Sequence, residues 1–390
     1  MSGLAAPVAL AAPAFVLTLN AGSSSLKYAV FALDSRSDGA ILCGSIDRAS
    51  GSAQWLDQVL HHTSAVTAGA IWAGIGHRIV HGGPHLSEPQ LVKPPVMAEL
   101  QRIIAFAPEH LPAEIALIED VTRQFPAVPQ VVCFDTAFHR DLPRVAQLLP
   151  IPRHFEATGI RRYGFHGLSY EFLREQLVRL NEPAIRHGKV ILAHLGNGAS
   201  LAALRDGVCV DTSMGFTPAA GLVMGSRAGD LDPGLIAYLA QTETMTAERL
   251  NHLVNHESGL LGVSETSADM RALLGAEECD VRAAEAVALF CQQAKKWLGA
   301  YAAVLGGLDT LVFAGGIGEN NAPIRARICR GLEFLGLELD DTRNASHAPV
   351  ISAATSRVSV RVIPTNEELI IARAISQVLR LSVARQRSEP

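Results

Sequence analysis

Short apolar runs separated by glycine, serine and asparagine recur near the start of the chain and predict β-strands. These strands are predicted over 15–19, 26–33, 40–46 and 74–80. The polar, small-residue stretch 63–69 is interpreted as a linker into the fourth strand. Apolar residues at helical spacing, opened near a proline, predict helices over 95–106 and 112–124. Strands followed by helices indicate an α/β domain.

A buried strand is predicted over 128–134, and it stops at Asp135. Ligands of open α/β sheets collect at the carboxyl ends of strands, so this carboxylate is a candidate site residue. The following stretch, 139–165, is irregular and rich in arginine and proline. We therefore predict a domain boundary within it.

The second half of the chain repeats the order of strands followed by helices. Its strands are predicted over 189–204 (a pair joined by a tight turn), 208–211, 311–314 and 358–363. Its helices are predicted over 167–180, 232–241, 246–256, 281–305, 322–332 and 366–380. This repetition predicts two related domains. The predicted division is 15–150 with about 368–390, then 151–367, after a disordered extension over 1–14.

Glycine-bearing turns follow three of the predicted strands and suit anion binding, because bare N–H groups in a tight turn can point at one anion. Gly196-Asn197-Gly198 is the first, and the turn after Asn20 adds three serines and a lysine. Gly315–Gly318 precedes a helix, yet no Gly-Lys-Ser/Thr follows it and the full dinucleotide fingerprint is lacking. Such turns also occur in proteins that bind nothing, so nearby polar residues must support the assignment.

Charged residues at unusual places supply that support. Arg78 lies in an otherwise apolar strand, where a guanidinium must meet either a ligand anion or an internal carboxylate. Arg227 lies in a glycine-flanked loop, either solvated or reaching a phosphoryl group. His166 lies directly before a predicted helix, and Glu367 could hold magnesium or only favour a helix dipole. The four-residue spacing of His77, His81 and His85 does not indicate a metal site, because glycines and a proline break any helix there.

Composition narrows the class of partner. The chain has 390 residues, is 48% hydrophobic and 18% charged, and carries a net charge of −5. No basic block suggests nucleic acid binding, so a small molecule is the expected partner. The six cysteines form no C-x-x-C pair, which argues against a zinc knuckle and fits a reducing compartment. Without a basic leader or an 18-residue apolar run, a soluble, cytoplasmic protein that does not span a membrane is expected.

Six motifs resemble, in order, those of the acetate kinase family. They lie at 20–27, 77–83, 134–139, 162–167, 194–198 and 316–320. The resemblance covers roughly residues 15–380. It implies an α/β fold with two duplicated actin-like ATPase (ribonuclease H-like) domains that close over ATP in an interdomain cleft.

The implied activity is the reversible, magnesium-dependent conversion of ATP and acetate to ADP and acetyl phosphate by a homodimer. Manganese is the alternative metal. Propionate or another short acid is the nearest alternative substrate, because one methylene changes binding by only about 1–3 kcal/mol. A binding protein switched by nucleotide on the same fold is a more distant alternative.

The resemblance also assigns roles by position. Magnesium contacts fall to Asn20 and Glu367. Phosphate contacts fall to Ser23, Ser25, Lys27, His194, Leu195, Gly196, Asn197 and Gly198. Adenosine contacts fall to Asp269, Met270, Arg271, Gly316, Ile317, Gly318, Glu319 and Asn320. The acyl group would contact Arg78, Val80, Phe165 and Pro218. The catalytic residues would be Arg78, Asp135, His166 and Arg227.

Two physical points refine these implied roles. A carboxylate substrate is already ionised at neutral pH, so we expect Asp135 to orient Arg78 or the metal shell and not to accept a proton. The family's Pro-Leu-His-Asn-Pro is here Pro-Glu-His-Leu-Pro, so Glu109 and Leu111 replace a leucine and an asparagine. Beside an anionic substrate Glu109 would repel, unless it turns outward or meets a cation, so the preferred acid stays open. Since the catalytic residues lie on both sides of the predicted boundary, domain closure is expected to assemble the site.

Overall fold

The computed structural model describes residues 14–22, 25–33, 39–47, 52–67 and 71–381. Contacts divide the chain into two compact units. The first unit contains the described residues up to Ala137 together with those from Asn366 onward, and the second is Phe138–Thr365. Both breaks lie earlier in the chain than the predicted ones at 150 and 367.

The described residues form strands and helices in alternating groups. The strands are β1 (Ala14–Ala21), β2 (Ser25–Ala32), β3 (Leu42–Asp47), β4 (Ile71–Ile79), β5 (Gln90–Leu91), β6 (Gln130–Phe134), β7 (Lys189–Leu195), β8 (Ala199–Arg205), β9 (Val208–Thr212), β10 (Thr310–Ala314) and β11 (Ser359–Val362). The helices are α1 (Ser52–Thr67), α2 (Pro94–Arg102), α3 (Leu111–Gln124), α4 (Arg144–Gln147), α5 (Gly167–Arg179), α6 (Ala184–His187), α7 (Pro233–Thr242), α8 (Ala247–His256), α9 (Gly259–Ser264), α10 (Met270–Ala276), α11 (Val281–Leu305), α12 (Gly315–Asn320), α13 (Ala322–Cys329), α14 (Asp341–Ala345) and α15 (Glu367–Val378).

The sheet of the first unit has the order β3-β2-β1-β4-β6-β5. Strands β1, β4 and β6 run parallel, whereas β2 and β3 are antiparallel to their neighbours. Every residue of β1 is buried, including the polar Thr18 and Asn20, and all its other residues are apolar. Because the carboxyl ends of parallel strands meet at one edge, Asn20, Arg78 and Asp135 lie along the same edge of this sheet.

The sheet of the second unit has the order β11-β10-β7-β8-β9. Strands β7, β10 and β11 run parallel, whereas β8 and β9 are antiparallel to their neighbours. In each unit the first strand therefore has an antiparallel meander on one side and parallel strands on the other. Apart from β5, which pairs antiparallel with β6 and has no counterpart in the second sheet, the order and the directions are the same, which confirms the repetition predicted from the sequence.

One predicted linker is part of a helix. Residues 63–67 of the predicted linker 63–69 are the last turn of α1, so this part of the prediction is wrong, and residues 68–69 lie outside the described residues. The signal lay upstream, where buried Trp55, Leu56, Val59 and Thr63 recur at helical spacing. The apolar members of this face pack against β1 and β2 in the core of the first unit. The Gly315 loop is also helical, as the short helix α12.

Burial agrees in part with the expectations from composition. Most cysteines act as small buried hydrophobes: Cys133, Cys209, Cys291 and Cys329 are buried, and Cys43 and Cys279 are exposed. Burial raises the pKa of the Cys133 thiol to about 12.

Among the helices of the described ranges, none has both the length and the apolar content that crossing a bilayer requires.

Two buried histidines make the stability of the units depend on pH. Burial lowers the pKa of both His77 and His139 to about 4. An unfolded histidine titrates near pH 6.5, so between about pH 6.5 and 4 only the unfolded chain takes up the proton. Their neutral forms therefore stabilise the fold fully above about pH 6.5, and the stabilisation is lost as the pH falls towards 4. We expect a loss of about 2 kcal/mol for each histidine at pH 5.

Urea unfolding at pH 7.5 and pH 5 measures this loss. The pH dependence is expected to be weaker in His77→Gln, whereas the exposed His61 gives a matched control, His61→Gln, with wild-type behaviour. An unchanged pH dependence in His77→Gln would contradict the prediction.

Candidate active site

At the carboxyl edge of the first sheet, the Arg78 guanidinium is held by a carboxylate and a carbonyl. Nε and Nη2 of Arg78 donate to Asp135 Oδ2 at 3.1 and 2.5 Å, and Nη1 donates to the Ala21 carbonyl at 2.8 Å. The side chains of Arg78 and Asp135 are only 12% and 1% exposed. Burial alone would lower the pKa of Arg78, but the carboxylates of Asp135 and Glu367 raise it above its ordinary value. The guanidinium is thus permanently charged and its plane is fixed.

Oxygen donors suited to a hard cation lie at the same edge. Nδ2 of buried Asn20 donates to Glu367 Oε2 at 2.8 Å and to Glu368 Oε1 at 3.1 Å. Glu367 is the first residue of α15, which packs against β1 and β4. Two carboxylates and an amide carbonyl are ligands that magnesium accepts, usually with several waters retained. The residues present therefore fit a divalent metal, and Glu368 is a candidate that the sequence did not single out.

The wall beside this edge contains Val80, Glu109 and Glu114. The Val80 N–H donates to the carboxylate of buried Glu114, with the shorter distance 3.1 Å to Oε2. Glu109 is half-buried and lines a cavity of about 10 Å³ together with Ala21 and Glu114. Glu109 thus lies close to Glu114, which binds the Val80 N–H, and to Ala21, whose carbonyl binds Arg78. Leu111, the other departure from the family motif, is fully buried at the start of α3.

In the second unit the two predicted glycine segments touch. Strands β7 and β10 are parallel neighbours with His194 opposite Ala314, so the segments that follow them emerge side by side. Gly315 has a φ of +75°, and a Cβ on it would lie 2.7 Å from the Leu195 carbonyl oxygen. Only glycine suits this left-handed, crowded position. The backbone N–H groups of both segments are therefore concentrated at one edge of the sheet.

Two histidines stand over the Gly196–Gly198 turn. The rings of His166 and His194 stack with centroids 4.3 Å apart. His166 precedes α5 with a φ of +59°, a left-handed conformation that is costly for a non-glycine residue and recurs at functional sites. A Cβ built on Gly198 would lie 3.1 Å from His166 Nε2. The imidazole edge of His166 therefore faces the turn.

Arg227 reaches the same turn from a separate loop. Its Nη1 would lie 3.5 Å from a Cβ built on Gly198, and it donates to the Pro218 carbonyl at 3.3 Å. The Met224 N–H donates to the Arg227 carbonyl at 3.1 Å, and Gly225 N–H donates to the Asn197 carbonyl at 2.9 Å. The loop is thus bonded both to itself and to the turn. Three predicted residues, His166, Arg227 and Gly198, are brought together within one unit.

Several residues that are predicted to contact the nucleotide use their side chains to accept hydrogen bonds from backbone groups of the protein. Asp269 caps α10 by accepting from Arg271 N–H at 2.8 Å, and its carboxylate also pairs with the Arg271 side chain. Glu319 Oε1 accepts from the N–H groups of Gly315 at 2.8 Å and Thr365 at 3.0 Å. These contacts shape the segments on which the residues lie. Met270 is buried, and Ile317 belongs to α12.

Buried Arg325 was missed by the sequence analysis although it supports this segment. Its Nη1 donates to the carbonyls of Gly318 at 2.8 Å and Glu319 at 2.9 Å, and its Nε donates to Asn344 Oδ1 at 2.8 Å. Burial lowers the pKa of Arg325 to about 10. An arginine at the fourth position of a short helix, α13, carries no sequence signal for this role.

The remaining predicted residues are placed as follows. Ser23 lies outside the described residues, Ser25 is half-buried at the start of β2, and Lys27 is exposed on β2. Phe165 is buried, and its carbonyl accepts from His139 Nε2 at 3.0 Å. Arg78, Val80 and Asp135 belong to the first unit, whereas Phe165 and Pro218 belong to the second.

A cavity of about 750 Å³ at the amino ends of β7, β10 and β11 contains none of the predicted residues. One of its lining residues, Glu182, forms a buried ion pair with Arg361, with Oε2 2.6 Å from Nε. The predicted phosphate-binding turns are at the opposite, carboxyl edge of the same sheet. Cavity volume alone therefore does not locate the candidate site.

Known proteins resemble this chain over nearly its whole length. A model of the Acetokinase family matches residues 41–373. An acetate kinase of Rhodopseudomonas palustris is 42% identical over 388 residues, covering 92% of this chain and 97% of that protein. A propionate kinase of Citrobacter rodentium is 41% identical over 397 residues, covering 95% and 97%. The crystal structure of Porphyromonas gingivalis acetate kinase matches with a TM-score of 0.84 at 33% identity, covering 94% and 100%.

These similarities agree with the two repeated sheets. The structural match confirms the predicted fold class, an α/β protein with duplicated actin-like ATPase domains. The sequence match confirms the resemblance that six motifs indicated. The chain therefore belongs to the Acetokinase family and is a carboxylate kinase that takes phosphate from ATP.

Proposed function

We propose that this enzyme reversibly transfers the γ-phosphoryl group of magnesium-bound ATP to acetate, giving acetyl phosphate and ADP. The observation that carries the proposal is the approach of His166 Nε2 and Arg227 Nη1 to the Gly196–Gly198 turn. Phosphoryl transfer requires little covalent chemistry from a protein. It requires hydrogen-bond donors and positive charge around three equatorial oxygens, and these groups supply both.

The nucleotide is proposed to bind the second unit. The turn after β7, with His194 and Asn197, would bind phosphate oxygens through N–H groups. The segment after β10 and the start of α10 would hold the adenosine. Glu319 and Arg325 would act there by fixing backbone, since their charged groups bind the segment itself.

The acid is proposed to bind the first unit through Arg78. A guanidinium recognises a carboxylate through parallel N–H groups, and Asp135 fixes the orientation of that fork. An acetate oxygen attacks the γ-phosphorus, the bond to the β,γ-bridging oxygen breaks, and its electron pair leaves on ADP. No proton is removed, because the acid is ionised at neutral pH. Asp135 is accordingly a positioning group in this proposal.

Magnesium would be held by Asn20, Glu367 and Glu368, with Ser23, Ser25 and Lys27 near the phosphates. When bound, a divalent ion neutralises charge on the nucleotide phosphates. We propose magnesium, with manganese as the alternative, because the candidate ligands are all oxygens, which both ions accept. A cytoplasmic homodimer is proposed from family membership, and light scattering of the eluted protein would test its mass.

An acid panel tests the activity. Trapping the acyl phosphate with hydroxylamine in the presence of acetate, propionate and butyrate should give most product with acetate. A higher kcat/KM with propionate would favour the alternative substrate. No product with any acid would contradict the proposed reaction.

The carboxylate of Glu109 is expected to weaken binding of the acid. Glu109→Leu should lower KM for acetate about tenfold, since removing a nearby like charge changes binding by about 1.4 kcal/mol. The matched control is Glu119→Leu, an exposed glutamate on α3. Equal KM values in wild type and Glu109→Leu would show that Glu109 points away from the acid.

A further inference from the structure

We propose that Ser200 and Ser169 act as positioning residues that hold His166 and His194 as neutral imidazoles with the proton on Nε2. The importance of this for catalysis rests on the proposed function, whereas the proton positions do not. Neither serine was identified from the sequence. Each is the middle of a hydrogen-bond chain that ends on a histidine Nδ1.

The first chain leads to His166. The buried Tyr170 hydroxyl bonds Ser200 Oγ, and Ser200 Oγ lies 2.8 Å from His166 Nδ1. Burial raises the pKa of Tyr170, so its hydroxyl keeps the proton and can donate it to Ser200 Oγ. In the proposed chain the phenol donates to Ser200 Oγ, and Ser200 in turn donates to His166 Nδ1. An Nδ1 that accepts belongs to a neutral ring with its proton on Nε2.

The second chain has the same direction. Thr365 Oγ1 donates to Ser169 Oγ at 2.8 Å, and Ser169 Oγ lies 2.8 Å from His194 Nδ1. Thr365 is itself anchored, because its N–H donates to Glu319. Because Ser169 Oγ accepts a hydrogen bond from Thr365, its own hydroxyl proton can be donated to His194 Nδ1. Nε2 of His194 then carries the ring proton.

The stacking of the rings supports neutral forms. With centroids 4.3 Å apart, two imidazolium ions would repel, so protonation of one ring opposes protonation of the other. Both Nε2 atoms face the glycine turn: Cβ atoms built on Gly198 and Gly196 would lie 3.1 Å from that of His166 and 3.8 Å from that of His194. The chains thus aim two N–H donors at the turn, while Arg227 supplies the positive charge.

Long-range ¹H–¹⁵N correlation spectra of wild-type protein labelled with ¹⁵N-histidine report the protonated nitrogen directly. His166→Gln and His194→Gln assign the two rings. At pH 7.5 we expect both rings to be neutral with Nε2 protonated. A proton on Nδ1, or an imidazolium, in either ring would overturn the inference, whether or not the enzyme is active.

Variants test whether the serines set this state. Ser200→Ala is expected to lower kcat about 10²-fold with little change in KM for ATP, and to mix the His166 tautomers. Ser200→Thr keeps the hydroxyl and should recover most of the activity and the spectrum. Ser352→Ala is the control, since buried Ser352 accepts a backbone N–H near β11 without touching a histidine. Wild-type kcat and an unchanged His166 spectrum in folded Ser200→Ala would contradict the inference.

If wild-type protein forms no acyl phosphate while both rings are protonated on Nε2, the proposed function fails and the proton assignment stands. If wild-type protein is active but either ring carries its proton elsewhere, the proton assignment fails and the proposed function stands. Should Ser200→Ala not fold, Tyr170→Phe removes the hydroxyl that directs the Ser200 proton towards His166. In that variant we expect His166 to show a mixture of tautomers. A His166 ring that still shows a single tautomer would contradict the inference.

Discussion

Arg227→Ala is expected to lower kcat by about 10³–10⁵-fold, equivalent to about 4–7 kcal/mol of barrier. The Arg227 guanidinium is the cationic side chain that lies beside the Gly196–Gly198 turn in the second unit. Charge on the transferring phosphoryl group is spread over three oxygens, and a planar fork stabilises it better than a flexible ammonium. The loss should appear in kcat, because the contact matters most in the transition state.

Steady-state kinetics of acyl phosphate formation measure this loss. Arg227→Lys keeps the charge without the fork, so it should lie between wild type and Arg227→Ala. Arg249→Ala is the matched control, because Arg249 is exposed and its ion pair with Glu257 lies on the surface. A loss below about tenfold in Arg227→Ala would contradict the assigned role.

Arg78→Met is expected to destabilise the protein by about 3–5 kcal/mol and to abolish measurable saturation by the acid. Removing this guanidinium leaves the carboxylate of Asp135, which is 1% exposed, without its cation. Asp135→Asn should be milder in activity, because an amide oxygen still accepts from Arg78. If Asp135 accepted a proton during the reaction, Asp135→Asn would lose as much kcat/KM for the acid as Arg78→Met.

The ion pair of Glu182 and Arg361 is a matched control for the stability term. Its side chains are 8% and 18% exposed, and it lies at the other edge of the second sheet. Arg361→Met should also lower the urea midpoint but leave kcat of the folded enzyme unchanged. A double variant, Arg78→Met with Asp135→Asn, should be less destabilised than the sum of the single changes, because neither charge is left unpaired.

The tertiary structure decided between alternatives that the chain left open. The sequence indicated that Arg78 needs an anion, and the structure shows that Asp135, which directly follows β6, is one such anion. Helix α1 was missed although Trp55, Leu56 and Val59 recur at helical spacing, and in the structure this face packs against β1 and β2. Ser200 lies in an apolar strand and Tyr170 in an amphipathic helix, so their chain to His166 depends on how β8 and α5 pack.

What the sequence by itself determined is local or carried by motif order: the strands of both sheets except β5, the position of Asp135 after β6, the two glycine segments and the family. These follow from periodicity and from residue types that suit only certain backbones. Only the tertiary structure decided which side chains meet, including Glu368 with Asn20 and Arg325 with the Gly318 carbonyl. The reason is physical, since strand order and helix packing bring together residues that no local pattern relates.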